Sequence, residues 1–173
     1  IERKGQDMVI DAMLKILEKV PDAVYLIVGQ GERLNFLREK VKALGLVNNV
    51  KFFVDTLDSE LPMFYHLSKL FIMPCRELVN GDVEGFGIVF LEANVYGKPV
   101  IAGKSGGAIE AVEHEVSGLL VDPKNIDKIA QAMILLLENE DYANKLGEAG
   151  RRRVEEKFNW QTQAKKLNDI LIS

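Results

Sequence analysis

A single cysteine, Cys75, stands in a chain of 173 residues, so no internal disulfide can form. Such a chain suits a reducing compartment, and the cytoplasm is the expected location. Histidine is nearly as scarce. His66 and His114 lie far apart, with no further histidine or cysteine at metal-ligand spacing, and both read as structural. No apolar run approaches the ~18 residues of a membrane span, and the opening IERKGQDMVI has no signal-peptide core, so no transmembrane segment is expected. Positive charge is in short supply too. Lys and Arg total 22 against 26 Asp and Glu, for a net charge of -4, and no basic stripe with interleaved aromatics offers a surface to nucleic acid. The one basic run, Arg151 to Arg153, sits among Glu148, Glu155 and Glu156 in a helical pattern and reads as a solvated face. The sequence also lacks a Walker A loop and an Asp-x-Asp pair, which leaves no evident site for a divalent metal on a diphosphate.

What is present is the composition of a folding domain, 47% hydrophobic and 28% charged. Short apolar runs, Ala23–Gly29, Val50–Val54, Lys69–Pro74, Lys98–Gly103 and Ser117–Pro123, have the β-rich character and weak alternation of strands covered on both faces. Stretches of helical period separate them, as in the stripe Val9, Met13, Ile16, Leu17 and Val20, and one long stretch runs from Asn125 to Phe158. Strand and helix in this alternation predict an α/β, Rossmann-like, doubly wound parallel sheet with helices on both faces. Without a repeat or a Pro/Ser-rich linker, residues 1–173 form a single domain, with 159–173 a closing amphipathic helix anchored by Trp160. Lys4-Gly5 is already the turn into the first helix, so the strand that should feed it is expected upstream of Ile1.

Doubly wound domains bind ligands beyond the carboxyl ends of their strands, where loops enter helices. Four loops occupy such positions: Arg3-Lys4-Gly5, Gly29-Gln30-Gly31, Asp82 to Gly87, and Gly103 to Gly107. In the third, Gly85 and Gly87 admit close approach of a ligand to the backbone, and a helix beginning near Phe86 would aim its free N–H groups at an anion. Glu84 before that helix and Glu92 within it can both border the crevice, and ionised carboxylates accept hydrogen bonds from hydroxyls. Phosphate in the middle and a hydroxyl-bearing group at each end describe a nucleotide sugar. The plainer alternatives are a first-turn carboxylate for Glu84 and a surface residue for Glu92. Gly106 and Gly107 make either a second phosphate cradle or a flexible turn, and Gly29 and Gly31 either ligand contacts or the chemistry of a strand end. Lys4 is either a counter-charge for phosphate or a solvated lysine, and Cys75 reads as a buried thiol.

The ordered set RKGQDMVIDAM, YLIVGQGE, VKFFVDTLDSELPMFYHLSKLFIMP, EGFGIVFLEANVYGKPVIAGKSGGAIEAVEHEVSGLLVDP and EEKFNW resembles the carboxyl-terminal donor domain of GT-B glycosyltransferases, in particular the retaining family 4. The resemblance implies that Glu84 contacts the transferred sugar and Glu92 the nucleotide ribose. It implies that Gly85, Phe86, Gly87 and Ile88 turn their amides to the diphosphate and sugar, and that Lys4 neutralises the diphosphate, with a partner arginine upstream of Ile1. It implies a metal-independent, cofactor-free transfer of a hexose from a UDP- or GDP-linked donor. The acceptor, a glycan, lipid or small molecule, would bind an upstream domain, so the chain alone would hold the donor without transferring it. The full-length protein would be cytoplasmic or peripheral at the inner membrane face. Two positions depart from the family pattern: Val54 where glycine is frequent near the base, and Cys75 where serine is common. A non-catalytic nucleotide-sugar-binding or scaffolding module and a sugar-nucleotide epimerase are the competing expectations. Intact Glu84, Glu92, Lys4 and both glycine turns weigh against the first of these, and the spacing with the SGG loop against the second.

Overall fold

The computed structural model describes residues 1–159 together with Thr162 and Asn168. The expected closing helix over 159–173 and its Trp160 anchor therefore lie almost entirely outside the described residues. The elements in chain order are α1 (Gln6–Lys19), β1 (Tyr25–Val28), α2 (Leu34–Ala43), β2 (Val50–Phe53), α3 (Leu61–Leu67), β3 (Phe71–Met73), α4 (Ile88–Val95), β4 (Val100–Gly103), α5 (Ala108–Ala111), β5 (Gly118–Val121), α6 (Ile126–Glu138) and α7 (Glu140–Lys157), with 3-10 turns at Glu2–Lys4 and Asp58–Glu60. Each apolar run singled out above contains one strand, and every strand pair is parallel. The strands are shorter than the runs because the flanking residues have other partners. Ala23 donates its N–H to Val20 and Lys98 to Ala93, while Pro74 has no N–H to give a ladder.

Hydrogen bonding divides the strands into two parallel sets, β1 with β2 and β3-β4-β5, where a single sheet was expected. Among the described residues β1 and β3 do not pair, so each has one free edge. A shared core nonetheless joins them. Ile27 of β1, Val50 of β2, Ile72 of β3, Ile101 of β4 and Leu119 of β5 pack in one cluster with the buried faces of α1, α2 and α6. The alternate residues Met73, Val100 and Ala102 belong to a second cluster with Phe90 and Leu91 of α4 and with α5. Since side chains alternate across a strand, the β3-β4-β5 set is covered on both faces, and its runs are apolar throughout for that reason.

The long helical stretch from Asn125 to Phe158 is broken in two at Asn139, which ends α6 and caps α7. Each helix starts on an asparagine side chain: Asn125 accepts the Lys128 N–H and Asn139 the Tyr142 N–H. The segment GAIEAVEHE yields only the single turn α5, because Val112 adopts an extended conformation and His114 leaves the helix to bridge Gly118. His114 Nδ1 accepts the Leu120 N–H, a structural task. No helix among the described residues is long and apolar enough to cross a membrane.

α7 packs on α4 and the turn that follows it, and two helical glycines make that approach close. A Cβ on Gly147 would stand 1.9 Å from the Gly97 carbonyl oxygen, and one on Gly150 would strike the buried amide of Asn94. Alanine is the better helix former by up to ~1 kcal/mol, so propensity alone would have Gly147→Ala stabilise the chain. Packing reverses the sign, because backbone atoms cannot yield as a flexible side chain would. We expect Gly147→Ala to destabilise by roughly 2 kcal/mol and to lower Tm by about 5 °C in thermal unfolding followed by circular dichroism. An unchanged or raised Tm would contradict the packing.

Candidate functional site

Residues 1–5 lie across the carboxyl ends of β1 and β3. The Ile1 nitrogen is 3.8 Å from where a Gly31 Cβ would be, and Gly5, at φ 72°, presses so closely on the Pro74 carbonyl that a Cβ would stand 2.3 Å from its oxygen. Arg76 donates its backbone N–H to the Arg3 carbonyl at 2.8 Å. A network of charges fixes the same join. The buried Arg76 guanidinium grips both Asp7 oxygens at 3.1 and 2.8 Å and reaches Glu2 at 3.3 Å, while Arg33 meets Glu2 at 2.7 Å. The hydrogen bonds to Asp7 hold the Arg76 guanidinium above its ordinary range and outweigh its burial. Truncating one member of such a network strands the others, a cost of about 3–5 kcal/mol for a buried pair. The turn that carries Arg3 and Lys4 is thereby rigid.

Opposite this turn stands the start of α4. Gly87, the residue before the helix, has φ 81°, and the ring of Phe90 occupies the place where its Cβ would be, at 2.5 Å. No side chain caps the helix, so its N-terminal amides and positive dipole end face outward. Between turn and helix lies a cavity of about 300 Å³ lined by Arg3, Lys4, Met73, Glu84, Phe86, Gly87, Ile88 and Val89. Lys4 has no ion pair among the described residues. Arg3 has two: its Nε is 3.5 Å from Glu84 and its Nη1 3.5 Å from Asp82. A cavity with an unpaired ammonium, a helix N-terminus and a carboxylate suits a ligand that is anionic in one part and rich in hydroxyls in another.

The structure brings Lys4, Glu84, Phe86, Gly87 and Ile88 together in one cavity, and leaves the other candidates outside it. Gly106 and Gly107 lie against the segment that carries Glu84. The Gly107 N–H already donates to the Glu84 carbonyl at 2.9 Å, and Cβ atoms here would strike the Glu84 and Gly85 carbonyls at 2.4 and 1.9 Å. These glycines form the bed on which the Glu84–Gly85 segment rests; with α5 only one turn long, a dipole of any strength behind them is not available. Gly85 faces open space. Gly29 donates to the Phe53 carbonyl at the end of β1, and Gly31 sits beside Ile1. Glu92 is exposed one turn along α4 from Ile88, where it accepts a 2.9 Å hydrogen bond from the Tyr65 hydroxyl. Tyr65 is stacked on Tyr96 at 5.3 Å, and burial followed by the Glu92 contact raises its pKa.

Arg3, Met73 and Val89 were not among the sequence candidates, although Arg3 adjoins Lys4 in a loop that was. Arg76 and Tyr65 carried no local signal at all, since their partners are distant in sequence. Among the described residues no three His, Cys, Asp or Glu side chains stand together as a metal-binding group. A wider depression, of about 490 Å³, lies at the α6–α7 corner between Leu135 and Asp141 and contains none of the candidate residues.

Residues 1–153 match the family model described as glycosyl transferases group 1. The chain is 44% identical over 99% of its length to the GDP-mannose-dependent alpha-(1-6)-phosphatidylinositol monomannoside mannosyltransferase of Mycobacterium tuberculosis, and covers 45% of that protein. It thus spans about half the length of the curated relatives it matches. In structure it is similar to the C-terminal domain of the group 1 family protein LpcC of Francisella tularensis, with a TM-score of 0.80 and 29% identity, over 93% of this chain and 83% of that one. It is similar also to HepE of Anabaena in complex with UDP, with a TM-score of 0.86 and 27% identity, over 99% of this chain and 46% of that one.

Cys75 borders this region without entering the cavity. It is fully buried, and desolvation, its chief influence, pushes the thiol up to about 11. At pH 8 its thiolate fraction should be roughly a hundredfold below that of a free cysteine. Alkylation by iodoacetamide should therefore be slow in the native chain and become fast in denaturant, as followed by intact mass. Rapid native alkylation would show an accessible, activated thiol instead.

Proposed function

The chain belongs to the group 1 glycosyl transferases, and from that premise we propose that it is the donor-binding domain of a retaining enzyme that moves a hexose from a nucleoside diphosphate sugar to an acceptor hydroxyl. One observation carries this reading: Lys4, the N-terminus of α4 and Glu84 border one cavity at the carboxyl ends of the strands. Lys4 and the α4 amides bind the diphosphate, Glu84 receives hydroxyls of the sugar, and Glu92, held by Tyr65, takes the ribose. Of the donors expected, GDP-mannose is favoured by the relative of 44% identity, whose name specifies it; the UDP complex of the more distant HepE marks the alternative base.

As the bond from sugar to phosphate breaks, the sugar acquires oxocarbenium character and the departing diphosphate gains negative charge. Groups already aimed at that charge lower the barrier without reorganising. Lys4 and the α4 N-terminus supply them, while Glu84 orients the sugar. The acceptor approaches the face the diphosphate leaves, so that the donor phosphate can take its proton and configuration is retained. A metal ion has no part in this scheme. The acceptor half of the site belongs to a preceding domain in a cytoplasmic protein, in keeping with the 45% share of the relatives' length. The free edges of β1 and β3 and the position of Ile1 beside Gly31 support a strand running between the two sets and ending just before Ile1.

Calorimetric titration of the chain, and of a version extended upstream of Ile1, with GDP, UDP, GDP-mannose and UDP-glucose tests the proposal. We expect GDP-mannose to bind without added metal and Lys4→Ala to weaken it by about tenfold or more, the size of a lost charge-assisted contact. Glu92→Ala should weaken nucleotide and nucleotide sugar alike. Failure of both versions to bind any nucleotide would refute the donor-domain reading.

A further inference from the structure

Arg3 and Lys4 are neighbouring cations on one rigid turn, yet their surroundings differ. Lys4 has no ion pair among the described residues, whereas Arg3 lies between the two carboxylates of the opposite loop. Its backbone is fixed by the 3-10 turn and by the Arg76 N–H on its carbonyl. Its Nε is buried without a hydrogen-bond partner and lies 3.5 Å from a carboxylate oxygen of Glu84, whose side chain is only 13% exposed. Glu84 is in turn fixed at its backbone, since its carbonyl receives the Gly107 N–H. What remains free in Glu84 is the rotation of its carboxylate, and Arg3 is the cation that faces it.

Resting on the function proposed above, we infer that Arg3 is a positioning residue that holds the Glu84 carboxylate for the sugar hydroxyls, while Lys4 alone of the pair serves the diphosphate. The contact length fits this division. At 3.5 Å to each carboxylate, Arg3 is farther than the 2.7–2.9 Å of a tight charge-assisted bond. It biases the rotamer of Glu84 while leaving lone pairs for a ligand, of which a carboxylate has about four. A bidentate grip, such as Arg76 has on Asp7, would use those lone pairs up. Asp82, on the far side of the guanidinium and more exposed at 40%, balances Arg3 so that it is not simply drawn onto Glu84 or a phosphate.

The consequence is that Arg3 should discriminate the sugar nucleotide from the bare nucleotide. In the longer protein proposed above, Arg3→Ala should leave GDP binding within about threefold and weaken GDP-mannose by about tenfold, with kcat falling more than KM rises. Arg3→Lys, which keeps a cation in place, should restore most of the loss, and Lys4→Ala should weaken both ligands together. Added to Glu84→Gln, Arg3→Ala should cost little more, since both act on one interaction. If Arg3→Ala proves unfolded by circular dichroism, Arg3→Gln carries the same comparison. Equal weakening of GDP and GDP-mannose would make Arg3 a phosphate counter-charge and overturn the inference, as would unchanged GDP-mannose binding. Should the unaltered protein bind neither ligand, the donor-domain reading itself fails and the inference falls with it.

Discussion

The grip of Arg76 on Asp7 and Glu2 is the interaction on which the arrangement depends. Arg76 follows β3, Asp7 opens α1 and Glu2 lies in the turn before it, so one buried guanidinium joins residues 2–7 to the end of β3. A charge so placed is favourable only while its partners remain, and Arg33 shares those partners, meeting Glu2 at 2.7 Å and Asp7 at 3.9 Å. The result is a turn that holds two half-buried cations, Arg3 and Lys4, at the mouth of the cavity. The backbone hydrogen bond from Arg76 to Arg3 and the contact of Gly5 with Pro74 complete the join.

The opposite wall is built by steric rather than electrostatic means. Gly106 and Gly107 let the Glu84–Gly85 backbone lie directly on the loop after β4, and Gly103 approaches Cys75 so closely that a Cβ would stand 1.9 Å from its carbonyl oxygen. Gly87 then leaves the loop in a left-handed conformation that starts α4 over the ring of Phe90. Charge clamps one side and backbone contact the other. The gap between them is the cavity, and its dimensions follow from parts that have no freedom to close it.

The distribution of charge inside the cavity follows from the same framework. Lys4 is uncompensated and faces the helix N-terminus, a pairing that favours an anion. Glu84 is compensated by Arg3 and keeps acceptor capacity for hydroxyls.

Much of this was readable from residue order, and the rest was not for a definite reason. Apolar runs and helical stripes are local, so the strand runs, their parallel α/β arrangement and the long C-terminal helical region could be placed from spacing alone. The glycine turn at Gly85–Gly87 and the carboxylates Glu84 and Glu92 are likewise local patterns. Where the chain departed from expectation, a nonlocal contact decided: Asn139 breaks the helical stretch so that α7 can pack back on α4. Sequence by itself determined the elements and the chemical character of the loops between them, because conformational preference and charge are properties of each residue. Tertiary structure alone decided which charges met, Arg76 with Asp7 across 69 residues and Arg3 with Glu84, because an ion pair depends on distance in space and no pattern along the chain encodes it.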